Sequence, residues 1–340
     1  MSSIPEIINR NKVEVTPSSR ANIRRQKDLD AARQYAHHSR SDSTWRTYSS
    51  AWEIFENYCQ TVDLVALPAK SDTVAMFVAA EAEKGKAVST IRHRLSAIRL
   101  MHLGNGFASP HNTQAVVEVL RGVQNSRKEE GELPNRKAPL ADETIKRLID
   151  KIDLNSKQGL RDRALLLYGF AGALRRSELV GINISHIEVR EKGHLLTIPY
   201  SKGDQSGKGQ KIAILAQPES PYCPVVALEA WMAAAKIHNG AIFRRVYRGD
   251  SVGEKRLGDR AVAELIKNCI YKLKDSSLKV EYFSAHSLRR GFLTSASNQK
   301  ADIFKLVAQS RHKQLDTVLN YVEEQEKFES HAAERLLLNS

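Results

Sequence analysis

At 340 residues, with 41% hydrophobic and 27% charged side chains, the chain has an ordinary globular composition and is long enough for two domains with their own cores. Its 52 Lys and Arg against 39 Asp and Glu leave a net charge of +13, which points to a polyanionic partner, nucleic acid ahead of an anionic membrane. Cys59, Cys223 and Cys269 form no C-x-x-C pair, no apolar run nears membrane length and the N-terminal stretch lacks a signal-peptide core, so zinc fingers, a disulfide framework and a membrane span are set aside and a cytoplasmic protein is expected.

Residues 1–40 read as a polar tail with one short helical pattern in "ANIRRQKDLDAARQYAHH". Regular structure then begins. Trp45, Tyr48, Trp52, Phe55 and Cys59 recur at gaps of three and four, one apolar stripe on a helix. A further helix, "VSTIRHRLSAIRLMHL", has a stripe of Ile91, Leu95 and Ile98, and beside it Ser89, Arg92, Ser96 and Arg99 at the same spacing. Short hydroxyls and arginines on one face suit phosphate and base-edge contacts, although a solvated polar face reads the same way. These elements make residues 41–125 a helical domain.

Charge, glycine and proline in "NSRKEEGELPNRKAPL" mark residues 126–140 as a linker. Residues 141–340 form the second domain. It opens on "ADETIKRLIDKI", a helix with acidic residues in its first turn, followed by the apolar core helix "RDRALLLYGFAGAL". "HLLTIPYSKGDQSGKGQKIAIL" reads as a β-hairpin, and helical patterns dominate beyond it. The expected fold is mainly α with a small antiparallel β-sheet in the C-terminal domain. Residues 1–135 carry 18 basic and 15 acidic side chains and residues 136–340 carry 34 and 24, so the second domain should meet the polyanion closely.

Three segments of the second domain stand out beside "AHSLRRGF", which sets His286 one helical turn from Arg289. In "GALRRSELVGI" two arginines adjoin a core helix; a buried one needs Glu178 or an anionic ligand beside it. The hairpin loop carries Lys202 and Lys208, and its "GDQSGKG" fails as a nucleotide-binding phosphate loop in spacing and in the residue after the lysine. In "SRHKQLDTVLNYVEEQEKF", Leu315, Val318, Leu319 and Val322 form an apolar stripe from which Tyr321 stands off by about 110°.

Together, "ALRRSEL", "HSLRRGF" and "RHKQLDTVLNY" resemble the signature of the tyrosine recombinases, the phage integrase family: an Arg in an "LR-x-SEL" box, then H-x-x-R, then a His nine positions before a Tyr. The likeness spans nearly the whole chain, with residues from about Ser43 to Asn125 similar to the family's core-binding domain, and the layout is most like that of the Cre-type members. Two departures are Arg311 before His312, where many members have Gly, and Arg176 beside the first catalytic arginine.

The resemblance implies a site-specific DNA recombinase with catalytic Arg175, Lys202, His286, Arg289, His312 and Tyr321, and a supporting Glu178. It implies attack by Tyr321 on a phosphodiester, a 3′-phosphotyrosyl link and strand exchange by a homo-tetramer on two double-stranded DNA sites. Neither metal, ATP nor any other cofactor is expected, and the protein would work at the nucleoid. Ser89, Arg92, Ser96, Arg99 and Arg290 are the expected DNA-binding residues, Arg290 facing backbone phosphate or solvent. Leu336, Leu337 and Leu338 lie in a tail that docks on a neighbour in the family, or on its own domain. A type IB topoisomerase-like nicking-closing enzyme and a non-catalytic DNA-binding protein of the same fold are the alternatives.

Overall fold

The computed structural model describes residues 20–131, 137–199, 209–312, 315, 318 and 319. The chain divides into two compact units, Met1–Pro134 and Asn135–Ser340.

The first unit is helical: α1 (Arg20–His38), α2 (Asp42–Thr61), α3 (Ser71–Glu83), α4 (Val88–Gly104) and α5 (Gln114–Glu129). Ser41 starts α2 by accepting a hydrogen bond at Oγ from the Thr44 N–H, which satisfies one of the helix's open donors. Of the stripe anticipated on α2, Trp45, Trp52, Phe55 and Cys59 lie inside and Tyr48 is half-buried. α2 packs on α4 and α3 on α5, and Phe77, Val78, Ile91, Ile98 and Val116 close the core between them. On the outer side of α4, Ser89, Arg92, Ser96 and Arg99 are all exposed.

Two boundaries differ from the sequence reading. Helix α5 continues to Glu129, into the stretch read as linker, because charged residues are good helix formers when one face is already anchored by Val116. The other end of that stretch belongs to the second unit. Leu140 is completely buried in its core, and the N–H groups of Ala138 and Leu140 donate to the carbonyls of Tyr282 (2.7 Å) and Ser287 (2.9 Å).

The second unit runs α6 (Asp142–Ile149), α7 (Lys157–Ala171), α8 (Arg176–Gly181), β1 (Ile187–Arg190), β2 (Gly193–Ile198), β3 (Gln210–Leu215), α9 (Pro224–Ala234), β4 (Arg244–Val246), β5 (Val252–Arg256), α10 (Arg260–Leu273), α11 (His286–Asn298) and α12 (Ile303–Ser310). Helix α7 is its spine: Leu165, Leu166 and Tyr168 are fully enclosed, and α9 and α11 pack against it. The hairpin is β2–β3, antiparallel, with Leu196 opposite Ile212 and both side chains buried. Strand β1 adds a third strand on the far edge of β2, and β4–β5 make a separate two-stranded ribbon. Neither was expected, since both are too short for an alternating pattern to emerge.

The architecture is mainly α with small antiparallel sheets. No described helix is long and apolar enough to cross a membrane. All three cysteines are buried free thiols, and burial pushes the Cys269 thiol up to about 11.

Candidate active site

The turn between α7 and α8 is where the second unit gathers its charge. Ala173 adopts a left-handed conformation (φ 45°), which reverses the chain at the end of the core helix. Arg175 then caps α8. Its backbone N–H donates to Glu178 Oε2 (2.9 Å) and its Nη1 to Glu178 Oε1 (2.6 Å), so one carboxylate holds both ends of the residue. Only 27% of the Arg175 side chain is exposed. Arg176, the next residue, turns outward to pair with Asp259 at 3.1 Å with half its side chain in solvent. The turn therefore separates the two adjacent arginines: Arg175 goes inward and Arg176 outward.

Helix α11 supplies the next two groups. Its first residue, His286, is anchored through its backbone N–H to Ser284 Oγ (3.3 Å) and its ring reaches solvent. Arg289, one turn on, is 1% exposed and donates from Nη1 to the Ala173 carbonyl at 2.8 Å, which ties α11 to the Arg175 turn. This helix lies so close to residue 140 that a Cβ on Gly291 would sit 1.7 Å from the Leu140 carbonyl oxygen; glycine is the only side chain that fits.

Arg290 departs from expectation. It is half-buried and hydrogen-bonds the Lys137 carbonyl, so it fastens the 137–140 segment to α11 rather than standing clear for phosphate.

Helix α12 ends in a second left-handed residue, Arg311 (φ 57°), whose side chain is 2% exposed. Its Nη2 donates to Glu178 Oε2 at 2.8 Å. His312 follows, with Nδ1 2.9 Å from Ser310 Oγ. Arg175, His286, Arg289 and His312 thus come together from three separate stretches of chain.

The electrostatics follow from that crowding. Burial alone would raise the Glu178 pKa, but the Arg311 and Arg175 guanidiniums outweigh it and hold the carboxyl below its usual range. Desolvation and then the cations of Arg289 and Arg175 push His312 down to about 4. His286 is lowered too. Although its ring reaches solvent, the protein packed around it is the largest influence, followed by Arg289, Arg290 and Arg175. Both imidazoles are neutral at neutral pH, each offering one donor and one acceptor. A site with two converging arginines and two neutral histidines can hold a phosphate-like anion and receive a proton beside it.

Lys202 and Tyr321 lie outside the described residues, as do Lys208, Val322 and Leu336–Leu338. Of the stripe leading to Tyr321, Val318 is fully buried against Leu293 and Leu306, whereas Leu315 is 45% exposed. Sequence reasoning gave no role to three contributors: Arg311, noted only as a departure, Gly291 and Leu140. For Arg311 the available signal was an arginine where a glycine is usual; for Leu140 nothing in its charged, proline-containing neighbourhood marks it.

A model of the phage integrase family matches residues 139–327. An integrase/recombinase XerD homolog from Selenomonas ruminantium is 36% identical over 298 residues, covering 88% of this chain and 86% of the relative. The recombinase Cre of Escherichia phage P1 is 23% identical over 299 residues, 83% of this chain and 84% of that one. Among solved structures, XerH site-specific recombinase in a post-cleavage complex with a palindromic difH substrate aligns with TM-score 0.58 at 17% identity, covering 83% of this chain and 77% of that one. The Tn1549 transposon integrase in complex with transposon right end DNA aligns with TM-score 0.57 at 14% identity, covering 85% and 92%. The structural likenesses speak for the fold, and the family match and the 36% identity decide the rest: the chain belongs to the phage integrase family of tyrosine recombinases.

Proposed function

We propose that this protein is a site-specific DNA recombinase that cleaves and rejoins DNA through a 3′-phosphotyrosyl intermediate at Tyr321. The observation that carries the reading is the convergence of Arg175, Arg289, His286 and His312 around the Ala173 turn, with Glu178 bracing the first arginine.

The chemistry runs as follows. The Tyr321 hydroxyl, with an ordinary pKa of about 10, gives up its proton to neutral His286 as its oxygen attacks the scissile phosphorus. Negative charge grows on the non-bridging oxygens, and the planar forks of Arg175 and Arg289 meet it with paired N–H donors. His312 adds a hydrogen bond to one of these oxygens. The bond to the 5′-oxygen breaks, and Lys202 supplies the proton that turns it into a hydroxyl. The new phosphotyrosyl ester keeps the energy of the broken one, so a 5′-hydroxyl of a partner strand reverses the step without ATP or metal. Exchange between two duplex sites takes four subunits. In the first unit, the exposed Ser89, Arg92, Ser96 and Arg99 face of α4 lies against the duplex.

The test is a nicked suicide duplex carrying the site, recovered by binding selection from DNA flanking the gene. It is incubated without metal or nucleotide and run on a denaturing gel beside Tyr321→Phe. A covalent adduct in the wild type that disappears in the variant is expected. Tight binding without any adduct would replace the reading with a non-catalytic DNA-binding protein. A plasmid with two sites then separates strand exchange from simple topoisomerase-like relaxation.

A further inference from the structure

Arg311 is among the most deeply buried charged residues described in the second unit, and the strand-cleavage reading gives it no role. Its backbone sits in the left-handed region at φ 57°, where a side chain is disfavoured and glycine is the usual occupant. Its guanidinium is withdrawn from water, an arrangement that survives only when every neighbour supports it. The neighbours do. Nη1 donates to the carbonyls of Gln309 (2.7 Å) and Gly172 (3.2 Å), and Nη2 to Glu178 Oε2 (2.8 Å) and the Ala173 carbonyl (3.4 Å). Ala173 O also accepts from Arg289, and Glu178 also accepts from both ends of Arg175. One carbonyl and one carboxylate therefore join three guanidiniums from three stretches of chain. Gln309 reinforces the joint by donating to the carbonyls of Ala171 (2.9 Å) and Ala213 (3.0 Å).

We propose that Arg311 is a positioning residue: it clamps the turn carrying His312 onto the Arg175–Glu178 turn, and by sharing the charge of Glu178 it leaves Arg175 net positive toward an anionic substrate. The charge count supports the second half. Glu178 with Arg175 alone is a neutral pair, which does little for negative charge developing on a phosphate; with Arg311 added these three residues keep one positive charge. The covalent neighbour supports the first half. Fixing Arg311 at four acceptors fixes the Cα of His312, and catalytic groups lose about 100-fold when misplaced by about an ångström. The proposal rests on the strand-cleavage reading for its catalytic consequence, but not for its electrostatic one.

The test uses the full chain as wild type, Arg311→Gly, Arg311→Gln and Arg311→Lys. Glycine relieves the left-handed backbone, glutamine keeps most of the length without charge, and lysine keeps the charge without the fork. The first readout is single-turnover adduct formation on the suicide duplex at saturating protein, normalised to the folded fraction. Arg311→Gly and Arg311→Gln should be about 10- to 100-fold slower with duplex affinity within about threefold of wild type, and Arg311→Lys should fall between.

The second readout needs no activity: the imidazole titration of His312 followed by NMR in the free protein. His312 is faced by Arg289 and His286 from α11, by Arg175 from the turn before α8, and by Arg311 itself, with Glu178 beyond. Removing one cation should raise its midpoint from the low value in the wild type, in the Gly and Gln variants but not in Lys. Folded neutral variants with wild-type rate and an unmoved His312 would overturn the clamp. So would a loss of affinity matching the loss of rate, or failure of both neutral variants to fold, which would make Arg311 purely structural. Absence of adduct from the wild type is a separate result. It sinks the cleavage reading and leaves the titration to judge the clamp.

Discussion

Two adjacent-arginine pairs, Arg175–Arg176 and Arg289–Arg290, look interchangeable along the chain and are treated very differently by the fold. In each pair the first arginine turns toward the Ala173 turn and the second away from it. The means differ. Arg175 and Arg176 are separated by a helix start: the former caps α8 against Glu178, and the latter, already in the helix, projects to Asp259. Arg289 and Arg290 both lie inside α11 and are separated by the 100° step between neighbouring helical residues. That step sends Arg289 to the Ala173 carbonyl and Arg290 to the Lys137 carbonyl. An arginine's role here is set by which backbone carbonyl or carboxylate waits at the end of its reach. Its immediate sequence neighbours, another arginine and a small or apolar residue, do not distinguish it.

The comparison breaks most visibly under alanine. Arg175→Ala and Arg289→Ala should each slow adduct formation on the suicide duplex by about 10²–10³-fold at saturating protein, the usual cost of removing a donor from developing negative charge. A wild-type rate in either variant would remove that arginine from the site. A smaller effect sharpens the contrast between the means of separation. Gly291→Ala forces a methyl into the Leu140 carbonyl and should destabilise the second unit by about 1–3 kcal/mol in urea denaturation. If stability holds, α11 is not pressed against residue 140 and the setting of Arg290 is wrong. The smallest effect belongs to Arg176→Ala. Its pair with Asp259 is half-exposed, so the change should cost about 0–1 kcal/mol and leave adduct formation within about threefold of wild type. A collapse of activity equal to that of Arg175→Ala would reverse the assignment of inward and outward arginine.

Much of this could be read before any fold was known, and the reason is periodicity. Trp45, Trp52, Phe55 and Cys59 had to share a face because helical geometry places residues three and four apart on one side, and burying that face is what makes the helix stable. Ile212 and Ile214 alternate with exposed neighbours in β3 for the equivalent reason in a strand. The motif boxes were legible because each is local, a few residues on one turn. What local pattern cannot carry is contact between boxes. Gln309 to Ala213, Arg311 to Glu178 and Leu140 to Ser287 each join segments far apart in the chain, and none has a periodic signature.

The amino-acid sequence by itself determined the helices that bury apolar stripes, the β2–β3 hairpin, the basic surplus of the second unit and the residue types gathered at the site. Only the tertiary structure decided which arginine of each pair enters that site, that Arg311 is a buried partner of Glu178, that residue 140 is core rather than linker, and that both histidines are held neutral. The physical reason is one of range. Helix and strand periodicity acts over a few residues, whereas burial and electrostatic shifts depend on what packs alongside, and that is known only once distant segments meet.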